Sequence, residues 1–173
     1  MNSEIPTIES ATLDDYEAVA HLHFLSHTVS FAPFASARWL NSRRVDDYLS
    51  RWRKTLSLAA GGESTLIARL SGEVVGMVRV ARSNVTVSEP GSIGAELTGM
   101  QVSPDLTGRG IGKLLMQRSL DYIRDQNFGR VVLGVIAANT GARRFYELHG
   151  WLLVEERPDG VEGVPVVVYE LGR

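Results

Sequence analysis

No cysteine occurs anywhere in the 173 residues. Disulfides, thiolate metal sites and cysteine nucleophiles are therefore outside the chemistry this chain can perform. No apolar run approaches the length of a membrane span. The first residues, Met1 to Pro6, lack the basic and apolar segments of a secretory leader, so a cytoplasmic location is expected. No five like charges stand in a row, and a net charge of −2 offers little to a nucleic-acid backbone. Internal repeats, low-complexity tracts and Pro/Gly/Ser linkers are also missing, so a single domain over residues 1–173 is expected. What remains is ordinary globular composition, 44% hydrophobic and 22% charged, in a chain long enough to bury a real core.

The most informative stretch runs from Glu96 to Lys113. Leu97, Met100 and Val102 around Gly99 suit a buried strand, which Ser103-Pro104-Asp105 breaks because proline donates nothing to a ladder. Thr107-Gly108-Arg109-Gly110-Ile111-Gly112 follows, and then Ile111, Leu114, Leu115, Ser119, Tyr122 and Ile123 fall on one helical face. Strand, glycine-rich turn and helix in that order outline a phosphate cradle. The free N–H groups and dipole of a helix start favour an anion, and glycine lets the backbone come close. Spacing excludes two such cradles. Lys113 is followed by Leu114 rather than the Ser or Thr of a P-loop, and Gly108, Gly110 and Gly112 fall one residue short of G-x-G-x-x-G.

The other elements follow in chain order. Residues 5–10 read as a short edge strand beside Pro6. Thr12-Leu13-Asp14-Asp15 matches a capping box before a helix over 12–28 bearing Leu13, Tyr16, Ala20 and Phe24. His23 and His27 lie four apart on it. With no third ligand at motif spacing they read as polar residues on a partly exposed helix, and no metal is expected. Residues 29–41 show no clean period and are expected to form an aromatic loop, either a buried connector or a binding loop. A helix over 42–59 follows, with Val45, Tyr48, Leu49, Trp52 and Leu56 on one face. Its basic residues, Arg43, Arg44, Arg51, Arg53 and Lys54, mix with Asp46 and Asp47 as on a solvated face.

Strands at 64–70 and 73–82 form a hairpin at Ser71-Gly72, and residues 83–94 form a loop with Pro90-Gly91 as its turn signal. Arg130–Ala137 is a nearly continuous apolar run, as in a strand covered on both faces. Asn139 can cap a helix with Ala142, Phe145, Tyr146 and His149 on one face, stopped at Gly150. Strands at 151–157 and 164–171 close the chain across Pro158-Asp159-Gly160.

Two motifs in this β-α-α-β-β-β-α-β-α-β-β order resemble the GNAT superfamily of acetyl-CoA-dependent N-acetyltransferases. Gly110 and Gly112 occupy the glycines of its Q/R-x-x-G-x-G/A turn after the strand end at Val102 and Pro104, with Thr107 at the Gln/Arg position. Asn139, Ala142, Phe145, Tyr146 and Gly150 match its N-x-x-A-x-x-F-Y-x-x-x-G-F pattern, with Trp151 in place of the last phenylalanine. The resemblance spans residues 60–171 well, and the first two helices by position alone.

The resemblance implies an α/β fold: a mixed, mostly antiparallel seven-stranded sheet with helices on both faces, splayed at its central strands near Gly99. It implies acetyl-CoA as cosubstrate. Amides of Thr107, Gly108, Arg109, Gly110, Ile111, Gly112 and Lys113 would hold the pyrophosphate, Met100, Gln101 and Val102 would pair with the pantetheine arm, and Asn139 would assist. An N–H near Met100 would polarise the thioester carbonyl. Glu96, fourteen residues before Gly110, stands where the histone acetyltransferase branch places its base, although a strand-end carboxylate without a role is the bland reading. Tyr146 would lie at the sheet edge with its ring buried and its hydroxyl in the cleft as proton donor to the leaving thiolate, unless it is a core tyrosine with a satisfied hydroxyl.

Acceptor specificity would lie in residues 24–44 and 157–165, with Phe31, Phe34, Arg38 and Trp39 lining the pocket for a small amine or amino-acid-like molecule. A protein N-terminal or lysine acetyltransferase and a non-catalytic acyl-CoA-binding module stay open as alternatives. So does a homodimer.

Overall fold

The computed structural model describes residues 5–58, 61–85, 87, 92–160 and 163–172; the expected Pro90-Gly91 turn and two residues of the 157–165 segment (161 and 162) lie outside them. Strand β1 (Thr7–Ser10) leads through a single 3-10 turn at Leu13–Asp15 into α1 (Tyr16–Phe31). The capping box forms: the Asp15 carboxylate accepts from the Thr12 N–H at 2.8 Å, and Arg69 holds the same carboxylate from the sheet side.

The expected aromatic loop is partly helical. α1 runs on to Phe31, and α2 (Ala37–Ser42) follows because the Ser36 hydroxyl caps it by accepting from the Trp39 N–H at 3.1 Å. Extended backbone at Arg43 and Arg44 then separates α2 from α3 (Val45–Ser57), which starts three residues later than expected.

The remainder is β2 (Ser64–Leu70), β3 (Glu73–Ser83), β4 (Gly94–Val102), α4 (Ile111–Asp125), β5 (Arg130–Ile136), α5 (Thr140–Glu147), β6 (Trp151–Arg157) and β7 (Val166–Leu171). The seven strands form one sheet in the order β1-β2-β3-β4-β5-β7-β6. Alternation along the strands divides the core between its two faces. Leu66, Ala68, Val78, Val80, Ala95 and Leu97 pack with Ile111, Leu115 and Met116 of α4 and Tyr146 of α5. Ile67 and Met77 turn the other way, onto Val19, Ala20 and Leu22 of α1 and Trp52 of α3. Fully burying one such aliphatic side chain contributes about 1.5–3 kcal/mol, so each layer is firmly fixed. Because Ala95 and Leu97 face α4, the same alternation turns Glu96 and Thr98 toward the face that carries α1 and α3.

The centre of the sheet opens. Among the pairings, only β4 with β5 is parallel, and it covers just Gly94↔Arg130, Ala95↔Val131 and Glu96↔Val132. Beyond that, β4 continues along β3 as far as Val102 while β5 continues along β7 to Ile136. The two strands therefore part from Leu97 onward, as the resemblance implies. A bulge begins there: Gln101 pairs with Met77 and Thr98 with Arg79, so Gly99 and Met100 together oppose Val78. Gly99 takes φ of +60°, a conformation that a side chain would strain.

Candidate active site

The glycine turn lies at the end of β4, beside the opening. Gly108 and Gly110 adopt φ of +77° and +85° on either side of Arg109, and Gly110 is the last residue before α4. The first helical bond runs from the Leu114 N–H to the Gly110 carbonyl at 3.1 Å. Among the described residues, the six amides from Gly108 to Lys113 make no hydrogen bond. Successive unpaired N–H groups on backbone that alternates in hand form a concave anion nest, and the dipole of a fifteen-residue helix adds to it. Exposed Arg109 and Lys113 flank it with positive charge. Side chains inside the loop are turned back to hold its shape. Thr107 Oγ1 donates to the Pro104 carbonyl at 3.0 Å, and Ser103 Oγ donates to Asp105 Oδ1 at 2.6 Å. Thr107 thus offers a ligand its backbone only.

Met100, Gln101 and Val102 are half-buried on the parted stretch of β4. Helix α5 reaches the same corner: a Cβ placed on Gly112 would lie 3.8 Å from both Phe145 and Val102. Asn139 spends its side-chain oxygen as the cap of α5, accepting from the Ala142 N–H at 3.1 Å, which leaves only its amide donors for a ligand.

Tyr146 is the buried residue of α5. Its residue is 9% exposed, and the ring stands edge-on to Phe145 and Trp151 at 5.5 and 6.4 Å. Ala142 and Phe145 are half-buried and pack against the same core, as expected. No protein group among the described residues bonds the Tyr146 hydroxyl, and burial pushes its pKa up to about 12. The helix is held from below: the Tyr169 hydroxyl donates to Glu147 Oε1 at 2.6 Å and accepts from Arg143 Nε at 3.0 Å.

Glu96 is exposed on β4, level with Ala81 of β3 and Val132 of β5, with no ion pair or hydrogen bond to its carboxylate among the described residues. The Arg157 guanidinium at the end of β6 is held above its ordinary value first by its bond to Glu155, and less strongly by the charge of Glu96. The carboxylate therefore lies within electrostatic reach of the last hairpin.

Of the four acceptor candidates, Phe31 and Trp39 come together, stacked at 5.5 Å and 28°. Phe34 makes no ring contact among the described residues, and Arg38 is exposed. The organising group in this region is one that the charge pattern concealed. Arg43 leaves the solvated face expected for it, and its guanidinium lies 4.7 Å from the Trp39 ring and 5.2 Å from those of Phe24 and Tyr48. The four-residue spacings His23-His27-Phe31 and Trp39-Arg43 are the one sequence signal that hinted at it.

Of the two histidines on the partly exposed helix, His27 is half-buried and His23 lies inside. His23 is buried, and its Nδ1 accepts from Trp52 Nε1 at 3.0 Å. His27 Nδ1 lies 2.9 Å from the Tyr48 hydroxyl and 3.2 Å from Arg43 Nη2. Burial, helped by neighbouring cations, lowers their pKa values to about 3 and about 4, so both imidazoles are neutral and Nδ1 acts as acceptor in each. No group of three or more candidate metal ligands occurs among the described residues.

A seven-stranded mixed sheet parted at its parallel pair, with a glycine turn opening the next helix, defines an α/β acetyltransferase fold. The chain belongs to the acetyltransferase (GNAT) family, whose model matches residues 27–151. An N-acetyltransferase of Archaeoglobus fulgidus, itself uncharacterized, is 28% identical over 143 residues, covering 83% of this chain and 88% of its own. The N-acetylaspartate synthetase of Danio rerio is 33% identical over 98 residues, 57% of this chain and 33% of that protein, so the chain spans only about a third of that relative. Among solved structures, the paia N-acetyltransferase of Thermoplasma acidophilum in complex with coenzyme A superposes with a TM-score of 0.74 at 17% identity, over 97% of this chain and 99% of that one. The yncA structure from Salmonella typhimurium with its cofactor acetyl-CoA gives 0.71 at 20% identity, over 96% and 92%. At these identities the likeness is one of fold. No helix among the described residues is long and apolar enough to cross a membrane.

Proposed function

We propose that this chain moves an acetyl group from acetyl-CoA to the primary amine of a small or amino-acid-like acceptor, by direct attack in a ternary complex. One observation carries the reading: six unpaired amides at the start of α4 adjoin the stretch of β4 that β5 has released. The amides suit a pyrophosphate. The released strand edge suits the amide-bearing pantetheine arm, which would pair along Met100, Gln101 and Val102 as an added strand does. Acetyl-CoA supplies the activated acyl group when bound; the chain's residues position it and handle protons. The relative named N-acetylaspartate synthetase supports an amino-acid-like acceptor.

The acceptor amine is protonated at neutral pH, and only its neutral form attacks. Glu96, exposed and free of protein partners, takes that proton directly or through water. The nitrogen would then bond the carbonyl carbon while a main-chain N–H near Met100 stabilises the developing oxyanion; the now cationic nitrogen gives its surplus proton to water, and the carbon–sulfur bond breaks to release the thiolate. Tyr146 donates to the departing sulfur. Its pKa near 12 keeps the phenol protonated. A thiol titrates near ~8.5, so full transfer from the phenol would be uphill by about 3–4 pKa units, or roughly 4–5 kcal/mol. Its role is accordingly a hydrogen bond that stabilises the thiolate, with the last proton arriving from water on release. A panel of amines offered with acetyl-CoA and followed by thiol release tests the reading: turnover of a small amine supports it. Tight acetyl-CoA binding without turnover of any amine would leave an acyl-CoA-binding module instead.

A further inference from the structure

Arg43 holds a charge that the protein leaves unanswered. Its Nη2 donates to the Phe24 carbonyl at 3.3 Å, to the Tyr48 hydroxyl and to His27 Nδ1 at 3.2 Å. All three acceptors are neutral, since the imidazole carries no proton on that nitrogen. Nε and Nη1 are buried and have no partner. Three of the five guanidinium N–H groups therefore lack an acceptor. No carboxylate pairs with Arg43 among the described residues, although other arginines of the chain find one at Glu9, Glu63, Glu155 and Glu170. Burying a cation without a counter-charge costs several kcal/mol, and open donors add to that cost. A fold keeps such a group where a ligand completes it.

From this we infer that Arg43 is the receptor for the carboxylate of the acceptor, so that the substrate is a free amino acid rather than a simple amine. The inference rests on the acetyl-transfer reading for the identity of the reaction, but the anion site stands on its own geometry. Arg43 lies between α2 and α3, on the face of the sheet toward which Glu96 points. Glu96 and Arg43 thus share one side of the sheet, and a single acceptor would have to present its amine to Glu96 and its own carboxylate to the guanidinium. The half-buried Trp39 ring is stacked on Phe31 and lies 4.7 Å from the guanidinium, so it covers the site a carboxylate would enter. Arginine suits this role because its planar donors match a carboxylate, and an aromatic cage holds it without competing for those donors.

The test compares the standard L-amino acids with their primary carboxamides, which keep the amine and side chain and lose only the negative charge. Thiol release with acetyl-CoA gives kcat/KM for each pair, and thermal shift in the presence of coenzyme A gives binding without chemistry. In the wild type the acid of the best pair is favoured by about 10- to 100-fold, the range expected for charge-assisted hydrogen bonds. Arg43→Met brings the ratio close to one while calorimetry shows acetyl-CoA binding unchanged, and Arg43→Lys recovers part of it. A purely structural clamp between α1 and α3 would lower stability in Arg43→Met and leave the acid-to-amide ratio where it was, overturning the inference. If Arg43→Met does not fold, equal use of acid and amide by the wild type overturns it as well. Carboxylate-dependent stabilisation without turnover supports the anion site and sinks the acetyl-transfer reading instead. Absence of both carboxylate-dependent binding and carboxylate-dependent turnover overturns the site itself.

Discussion

Lowering the pH from about 7.5 to about 5 should weaken this fold sharply through two imidazoles. His23 and His27 have pKa values of about 3 and about 4 in the folded chain, against an ordinary 6.5. For His23 burial is the main cause, followed by the charges of His27, Arg51 and Arg43; for His27 it is burial, then Arg43 and Arg51. Both depressions have the same sign. Below 6.5 the unfolded chain takes up a proton on each imidazole and the folded chain does not, so acid favours unfolding. Stability from this source is fully present above 6.5 and is lost as pH falls toward 4 and then 3. At pH ~5 the unfolded-state protonation is worth about 2 kcal/mol per histidine, or about 4 kcal/mol for the pair. That figure is insensitive to the folded values as long as both stay well below 5. Against a typical total of about 5–15 kcal/mol the loss is large. Urea unfolding followed by tryptophan fluorescence measures it directly. The double variant His23→Gln/His27→Gln, in which each amide can still accept a hydrogen bond, should lose about 4 kcal/mol less over the same interval. An equal pH dependence in the wild type and the double variant would refute the assignment of these rings as buried and neutral.

Three further outcomes test the catalytic reading. Glu96→Gln should bind acetyl-CoA normally and lose about 10²- to 10⁴-fold in kcat, with the deficit shrinking as pH rises and more amine is free; a full rate at neutral pH would show that no protein base is needed. Gly110→Ala forces a side chain into φ of +85°, which costs about 1–2 kcal/mol, and should weaken acetyl-CoA at least about tenfold by calorimetry; unchanged affinity in the folded variant would remove the cradle. Tyr146→Phe deletes a hydroxyl that has no protein partner, so it should leave the melting temperature nearly unchanged and lower kcat by about 10-fold, whereas lost stability with an intact kcat would make the hydroxyl structural.

Much of this fold was legible because local rules and tertiary packing agree. The apolar stripe from Ile111 to Ile123 does face the sheet, with Ile111, Leu115, Ser119 and Ile123 all buried. Gly108 and Gly110 do carry the positive φ that a turn into a helix requires. Helix α2 was hidden although its capping serine is plain to see, because six residues are too few to display a period. Tyr146 shares a helical face with Phe145, and its edge contact with Trp151 joins a different element, a pairing no local pattern announces. The parting of β4 from β5 had no signature of its own beyond Gly99; both strands read simply as apolar, and the divergence is a property of their pairing.

Arg43 was illegible for a related reason: a basic residue between two exposed helical turns reads as solvated, and only the convergence of α1, α2 and α3 buries it. Its surroundings show how the fold tolerates it. Two histidines that could have added charge are both held neutral, and His27 serves as an acceptor to the Arg43 guanidinium. The caged guanidinium thus lies on the α1 side of the sheet, while the unpaired amides of the glycine turn gather at the start of α4, which packs on the other face. On the reading proposed above, two anion-seeking centres of different kinds serve the two substrates. The amide nest suits a flexible polyanion whose shape the backbone can follow. The caged guanidinium suits one small planar anion. On that reading, donor and acceptor would approach β4 from opposite faces and meet at the opening, the arrangement direct attack requires because neither substrate has to leave before the other binds.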